Sequence, residues 1–434
     1  MPSFRYPSAG ELRAILVAVQ LPEMEDADVR RSLSELENLL GSLGIGVADR
    51  IVQRRIQPSR VTYVGEGKLQ ELARLTGGTG ELPRGPKTNL ESLRTDLLVV
   101  ADDELTPGQR RNLRAALGVE VIDRTEVILR VFESRPQSHA SRLELELARL
   151  EYELPRIRDE HVDDDREGGG GRASRGHSNV ELAKQRIRDR IAYLRKEIAR
   201  VHAVQDRSRR ARSDQIRVAL VGYTNAGKSS LMRRLTGREV FVEDRLFATL
   251  GTTVGQLSPP TVPPILVADT VGFIHRLPHQ LVASFRSTLE EAKEASLLLH
   301  VVDVSDPAFR AQIRVTEEVL AEIGAGEIPT WLLLNKADRL DANAREAIAR
   351  EFSEALLVSA LDPRDVETIH RRLREHFARN FVEETIILPY ARRGLLAEFA
   401  DRLQIVREEY GESVAVTVRA SEQVIAMLRA RLTR

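Results

Sequence analysis

An apolar run that breaks at a glycine constrains this chain more than any other feature. Ile216-Arg-Val-Ala-Leu-Val221 reads as a short buried strand, and a helix is expected to begin at Ser229 and run through Arg234. The residues between and into that helix are Gly222, Tyr223, Thr224, Asn225, Ala226, Gly227, Lys228 and Ser229. Glycine at 222 and 227 lets the backbone curl until successive N–H groups point inward, and the helix that follows adds its positive end. The result is a cradle for an anion. Lys228 can reach the β and γ phosphates of a nucleoside triphosphate, and the Ser229 hydroxyl can ligate Mg²⁺.

Around this loop, residues 214–380 alternate strand and helix, which predicts a doubly wound and mostly parallel sheet. Strands are expected at 216–221, 265–268, 297–302, 330–334 and 356–358. Several of them end in residues suited to chemistry. Asp269-Thr270-Val271-Gly272 follows the second; its carboxylate suits the outer shell of Mg²⁺ and the Gly272 N–H suits a γ-phosphate. Asn335-Lys336-Ala337-Asp338 follows the fourth, where a carboxylate can accept from the N1–H and 2-amino groups of guanine, which adenine does not offer. A site built on that pair rejects adenine by several factors of ten. Ser359-Ala360-Leu361, after the last strand, is expected to turn backbone N–H groups toward the guanine 6-oxo group. Between the loop helix and Asp269 runs Leu246-Phe247-Ala248-Thr249-Leu250-Gly251-Thr252-Thr253-Val254, a first switch. Thr249, Thr252 and Thr253 are each chemically able to complete the Mg²⁺ shell. Phe273 follows Gly272 where Ras-like enzymes carry the glutamine that orients the attacking water. Phenylalanine cannot do that, so no catalytic side chain is assigned, and hydrolysis is expected to be slow without a partner.

The flanks are less specific. At 434 residues, several domains are expected. Lys plus Arg equals Asp plus Glu, 65 each, so attraction to a polyanion must come from local segregation of charge. With no cysteine, thiolate chemistry and Cys-held zinc are excluded. The apolar runs are short for a membrane span and the first residues lack a signal-peptide core, so a soluble cytoplasmic protein is expected; a monomer is expected as well.

Residues 1–140 alternate in α/β fashion, with strands expected at 14–19, 46–53, 61–64, 97–101 and 119–122 and helices at 29–40, 68–75 and 107–117. Gly65-Glu-Gly-Lys68 lacks the spacing of a second phosphate loop and reads as a strand–helix turn. This domain is expected to serve contact or regulation. In 141–213, Leu143, Leu147, Leu150 and Leu154, then Ile187, Ile191, Leu194, Ile198 and Val201, repeat at coiled-coil spacing on either side of a charged glycine-rich break. That predicts an antiparallel helical hairpin. Its second helix is basic, with Lys184, Arg186, Arg188, Arg190, Arg195, Lys196 and Arg200, and suits RNA phosphates if those charges are not simply a solvated face. Residues 381–434 predict a small α/β domain with strands at 385–388 and 414–418 and helices at 395–409 and 423–432.

The run Asp269 to Leu281, Ser284-Phe-Arg-Ser-Thr-Leu-Glu-Glu291, the loop Gly222 to Ser229 and Leu246-Phe-Ala-Thr-Leu250 resemble the HflX-type, Obg-like GTPases. So do Asp102 to Leu113, Val121 to Thr125 and Leu145 to Arg156, outside the nucleotide elements. The resemblance implies an N-terminal domain and hairpin that grip the large ribosomal subunit and its RNA under the control of GTP. It also implies a role in splitting or rescue of stalled ribosomes. It selects Thr249 as the Mg²⁺ threonine, and it implies that Asn225 helps hold a K⁺ ion, as in several related GTPases. Two stretches differ from the family pattern: Ser174 to Lys184 stands where a Gly-Pro-Gly-Glu run is usual, and Leu250-Gly-Thr-Thr253 where Leu-Asp-Pro-Thr is usual.

Overall fold

The computed structural model describes residues 12–82, 93–135, 138–157, 173–210, 216–237, 253–270, 272–273, 291–379, 381–400 and 402–432, with side chains in the 173–210 helix described from 180 to 204. The described residues fall into two compact units, the first running to Ala203 and the second starting at Val204.

The first unit opens with β1 (Arg13–Gln20), α1 (Asp26–Ser42), β2 (Gly46–Arg54), α2 (Glu66–Thr76), β3 (Arg94–Ala101), α3 (Pro107–Leu117), β4 (Val119–Asp123) and α4 (Arg124–Glu133). The four strands are parallel in the order β2-β1-β3-β4. β1 is internal to this sheet, and Ala14 to Gln20 are all buried, which is why the segment reads as an unbroken apolar run. Ile15, Val17 and Val19 pack with Leu69 and Leu72 of α2 and Leu113 and Leu117 of α3. Thr106 and Gln109 form a capping box at α3, Pro107 takes its first turn, and Gly118 closes it in the left-handed conformation. The segment 61–64 is not the expected strand. Tyr63 sits at φ 64° in a turn, and its buried hydroxyl accepts from the Val19 N–H (3.1 Å) and donates to Asp103 Oδ2 (2.6 Å). Side-chain bonding here outweighs the β-propensity of Val-Thr-Tyr-Val.

α5 (His139–Glu153) and α6 (Ala173–Arg210) form the hairpin. In α6 the expected seam is buried at Ile191 and Leu194, while Ile187, Ile198 and Val201 are half-buried. In α5 and at its C-cap none of the expected leucines is buried: Leu143, Leu147, Leu150 and Leu154 are half-exposed, and the buried residues are Ala140, Ser141, Glu144, Leu145, Ala148 and Tyr152. α5 packs against α4, which the sequence reading omitted. Beneath α5 lies a charged network rather than an aliphatic seam. The Tyr152 hydroxyl donates to Asp123 Oδ1 (3.0 Å), Arg156 reaches Asp123 Oδ2 (3.3 Å), and Arg110 pairs with Glu126 (3.1 Å).

The second unit contains β5 (Ile216–Val221), α7 (Lys228–Thr236), β6 (Thr253–Gln256), β7 (Ile265–Asp269), β8 (Leu297–Asp303), α8 (Phe309–Glu322), β9 (Thr330–Asn335), α9 (Ala342–Glu351), β10 (Leu356–Leu357) and α10 (Pro363–Ala378). The sheet order is β10-β9-β8-β5-β7-β6, parallel throughout except for β6 at the edge. β11 (Phe381–Leu388), β12 (Gln404–Tyr410), β13 (Val414–Ser421) and α11 (Glu422–Leu432) complete the chain, the strands forming an antiparallel sheet in the order β11-β13-β12. The helix expected at 395–409 is instead a 3₁₀ segment, Tyr390–Phe399, followed by β12. β12 pairs with β13 from Gln404↔Arg419 to Tyr410↔Val414, and this pairing overrides the helical preference of Arg-Glu-Glu.

Candidate nucleotide-binding site

The site lies at the C-terminal ends of β5, β7, β8 and β9, where an open α/β sheet leaves its crevice. β5 stands between β8 and β7, with Val221 opposite His300 and Leu220 opposite Asp269. The chain then turns through Gly222 at φ 140° and reaches Gly227, the N-cap of α7, at φ 95°. A Cβ at 222 would lie 2.1 Å from the Val301 carbonyl oxygen, and one at 227 would lie 2.2 Å from Asn335 Nδ2. Both glycines are therefore required by space as well as by conformation.

Lys228 is buried and donates to the carbonyls of Gly222 (3.0 Å) and Tyr223 (2.7 Å). Burial lowers its pKa to about 8, partly offset by Asp269. The Ser229 hydroxyl donates to Asp269 Oδ2 at 2.8 Å. Phe273 is tied to the loop by its backbone, its N–H donating to Gly222 O (3.1 Å) and its carbonyl accepting from Thr224 N–H (2.8 Å). The ring is buried. Gly272 passes so close that a Cβ there would meet Thr224 Cα at 2.8 Å and Lys228 Nζ at 2.9 Å. Thr270 fastens the end of β7 by donating to Leu220 O at 2.7 Å.

Asn335 joins the two halves of the site. Its Nδ2 donates to Ala226 O (2.8 Å) and its Oδ1 accepts from Ala360 N–H (2.9 Å). One buried side chain thus fixes the phosphate loop relative to the 359–361 loop. Lys336 takes the left-handed conformation, φ 61°, and pairs with Asp303 Oδ2 at 2.7 Å. Ala337 N–H donates to Val358 O (3.1 Å), Ser359 N–H to Asp365 Oδ2 (2.8 Å) and Leu361 N–H to Ser359 Oγ (3.2 Å). Asp338 and Asn225 are exposed.

The structure therefore brings together the 222–229, 269–270, 272, 335–338 and 359–361 segments named from sequence. Phe247, Ala248, Thr249, Leu250, Gly251 and Val271 lie outside the described residues. Two residues escaped the sequence reading. Asp303 ends β8 and holds Lys336, and its Oδ1 is itself held by Ser305 N–H (3.0 Å) and Oγ (2.5 Å). His300, buried in the middle of β8, has its pKa lowered to about 4 by burial and by the charge on Lys228. In each case the signal was a polar residue in or closing an otherwise apolar strand.

The residues present suit a magnesium ion. By donating its proton to Asp269, Ser229 keeps its oxygen lone pairs available for a cation, and the carboxylate stays one step removed. Among the described residues there is no cluster of three or more His, Cys, Asp or Glu that could hold a metal ion. No helix of the described chain is long and apolar enough to cross a membrane.

A glycine-turned loop on the central strand, locked by one asparagine to a carboxylate-bearing base loop, defines a P-loop protein of the guanine-nucleotide class. Family models agree along the chain: "GTP-binding GTPase N-terminal" matches residues 30–133, "GTP-binding GTPase Middle Region" 135–212 and "50S ribosome-binding GTPase" 217–336. GTPase HflX of Gluconacetobacter diazotrophicus is 45% identical over 444 positions, covering 96% of this chain and 97% of that protein. GTPase HflX of Alkalihalophilus pseudofirmus is 38% identical (92% and 90% covered), and that of Escherichia coli K12 is 34% identical (95% and 94%). The chain belongs to the HflX GTPase family, and its reaction is the hydrolysis of GTP to GDP and phosphate.

Proposed function

We propose that GTP binds across the loop that Asn335 holds together and that its state governs attachment to the large ribosomal subunit. Residues 222–229 wrap the phosphates, with Lys228 leaving its two carbonyl partners for the β and γ oxygens. Ser229 and Thr249 would ligate Mg²⁺, with Asp269 in its outer shell; the ion, when bound, offsets phosphate charge. The Gly272 N–H meets the γ-phosphate. Asn335, Lys336 and Asp338 with Ser359, Ala360 and Leu361 hold the base, and Phe247 to Gly251 close over the nucleotide. The observation that carries this reading is the pair of hydrogen bonds of the Asn335 side chain, donated to Ala226 O and accepted from Ala360 N–H, which gives phosphate and base loops one reference point. The comparison to make is GTP against ATP by direct titration; equal affinities would refute it.

Phe273 shapes the chemistry. Its ring is buried and its backbone is spent on the phosphate loop, so it cannot orient water. Hydrolysis is then slow in isolation and accelerated by the subunit. Asn225, exposed and at φ 60°, is the residue that would help hold a K⁺ ion. Equal turnover in sodium and potassium buffers would remove that role.

The chain works in four parts, 1–140, 141–213, 214–380 and 381–434, as a cytoplasmic monomer that splits or rescues stalled ribosomes. RNA contact falls to the N-terminal domain and hairpin. Carboxylates already engage several α6 arginines: Arg190 with Glu146 (2.7 Å), Arg195 with Glu151 (2.8 Å), Arg188 with Glu181 (2.9 Å) and Arg200 with Glu197 (2.5 Å). Lys184, Arg186 and Lys196 have no ion pair among the described residues and form the narrower set for phosphates. The same pairing favours a second reading, a GTPase whose partner is protein. Co-sedimentation across a salt series separates the two, since phosphate contacts weaken steeply as salt rises.

A further inference from the structure

The β2–α2 connection, residues 55–65, is unlike the other loops of the first unit. From Arg50 to Gly65 the chain carries four arginines, Arg50, Arg54, Arg55 and Arg60, and no carboxylate. At its tip Ile56 is 87% exposed and Val61 48%. The loop is nonetheless pinned at several points. Its Ser59 and Tyr63 bond each other through both backbone pairs (2.8 and 2.9 Å), Gln109 Nε2 donates to Ser59 O (2.7 Å), and Asn112 Nδ2 donates to Val61 O (3.0 Å). Tyr63, forced to positive φ, bolts the end of the loop to β1 and to Asp103. Arg55 is aimed as well, since Nε donates to Gln57 O (3.2 Å) and a Cβ at Gly65 would lie 2.2 Å from its Nη1. The Gly65 N–H that opens Gly65-Glu-Gly-Lys68 is taken by Gln53 Oε1 at 2.8 Å.

Charge decides what such a surface fits. Arg54 pairs with Asp26 (2.6 Å) and Arg50 with Glu37, whereas Arg55 and Arg60 have no ion pair among the described residues. We propose that residues 55–61 are a preformed RNA-contact loop, in which Arg55 and Arg60 engage backbone phosphates and Ile56 packs against an exposed base or ribose. A polyanion meets both unpaired guanidinium groups at once, and a loop held rigid beforehand loses little conformational freedom on docking. The proposal rests on large-subunit binding and names the part of the N-terminal domain that makes contact with the RNA.

The test uses the full-length chain and purified large subunits, with a non-hydrolysable GTP analogue, across a salt series. Arg55→Ala with Arg60→Ala should weaken binding about tenfold or more at moderate salt and lower the slope of log affinity against log salt by roughly 1.5, the loss of two phosphate contacts. GTP affinity and the thermal midpoint should stay as in the unaltered protein. A photo-reactive amino acid in place of Ile56 should crosslink to ribosomal RNA. An unchanged slope, or crosslinks confined to ribosomal proteins, overturns the RNA assignment. If the unaltered chain does not bind subunits at all, the underlying ribosome reading fails instead, which is a different outcome from a variant that binds as well as its parent.

Discussion

Replacing Asn335 by alanine tests the architecture of the site most sharply. The side chain is 2% exposed and supplies one donor to Ala226 O and one acceptor to Ala360 N–H, both on buried residues. Truncation leaves two buried backbone groups unpaired, and each such orphan costs about 1–3 kcal/mol. The sum is about 2–6 kcal/mol, shared between the empty protein and the nucleotide complex. If half falls on the complex, the dissociation constant rises by about fivefold to 150-fold. Asn335→Asp sharpens the point. It keeps the acceptor for Ala360 but turns a carboxylate oxygen on the Ala226 carbonyl, so its affinity should fall at least as far as that of the alanine variant. The assay is fluorescence titration with GDP, alongside thermal unfolding of the nucleotide-free chain. A change below about threefold in affinity, with unfolding also unmoved, would refute the claim that this side chain unites the two loops.

Further outcomes follow from the same geometry. Gly227→Ala would place a Cβ 2.2 Å from Asn335 Nδ2 at φ 95°, so nucleotide binding in a titration should be lost while far-UV circular dichroism is retained. Asp303→Ala releases Lys336, held at 2.7 Å, and should weaken GTP and GDP alike by about tenfold with kcat unchanged. Combined with Lys336→Ala it should add little, and full additivity would contradict the pairing. His300 is kept neutral to about pH 4 in the fold, while the unfolded chain protonates near 6.5. Stability present above pH 6.5 should therefore fall by about 3 kcal/mol as the pH drops toward 4, and denaturant titrations of His300→Gln should lack that contribution.

The nucleotide site of the second unit was legible because its central strands β5, β7 and β8 are largely buried and strand ends there carry fixed chemistry. Gly222, Gly227, Lys228 and Ser229 specify the loop by spacing alone, and Asn335 to Asp338 and Ser359 to Leu361 fall where the strands end. What spacing could not show was Asn335 as a bridge, since its partners lie 109 and 25 residues away in the chain. The misses have a shared cause. Tyr63 leaves the strand conformation for a hydroxyl bond to Asp103, α5 turns its smaller residues and Tyr152 inward to meet α4, and β12 becomes a strand by pairing with β13. Each is decided by a contact distant in sequence, beyond the reach of periodicity.

The most direct measurement is large-subunit binding by the full-length chain with GDP and with a non-hydrolysable GTP analogue, at one salt concentration. Tight binding with the analogue and at least tenfold weaker binding with GDP is the predicted result. Equal affinity with both nucleotides would contradict the claim that the purine site controls the ribosome-facing surface.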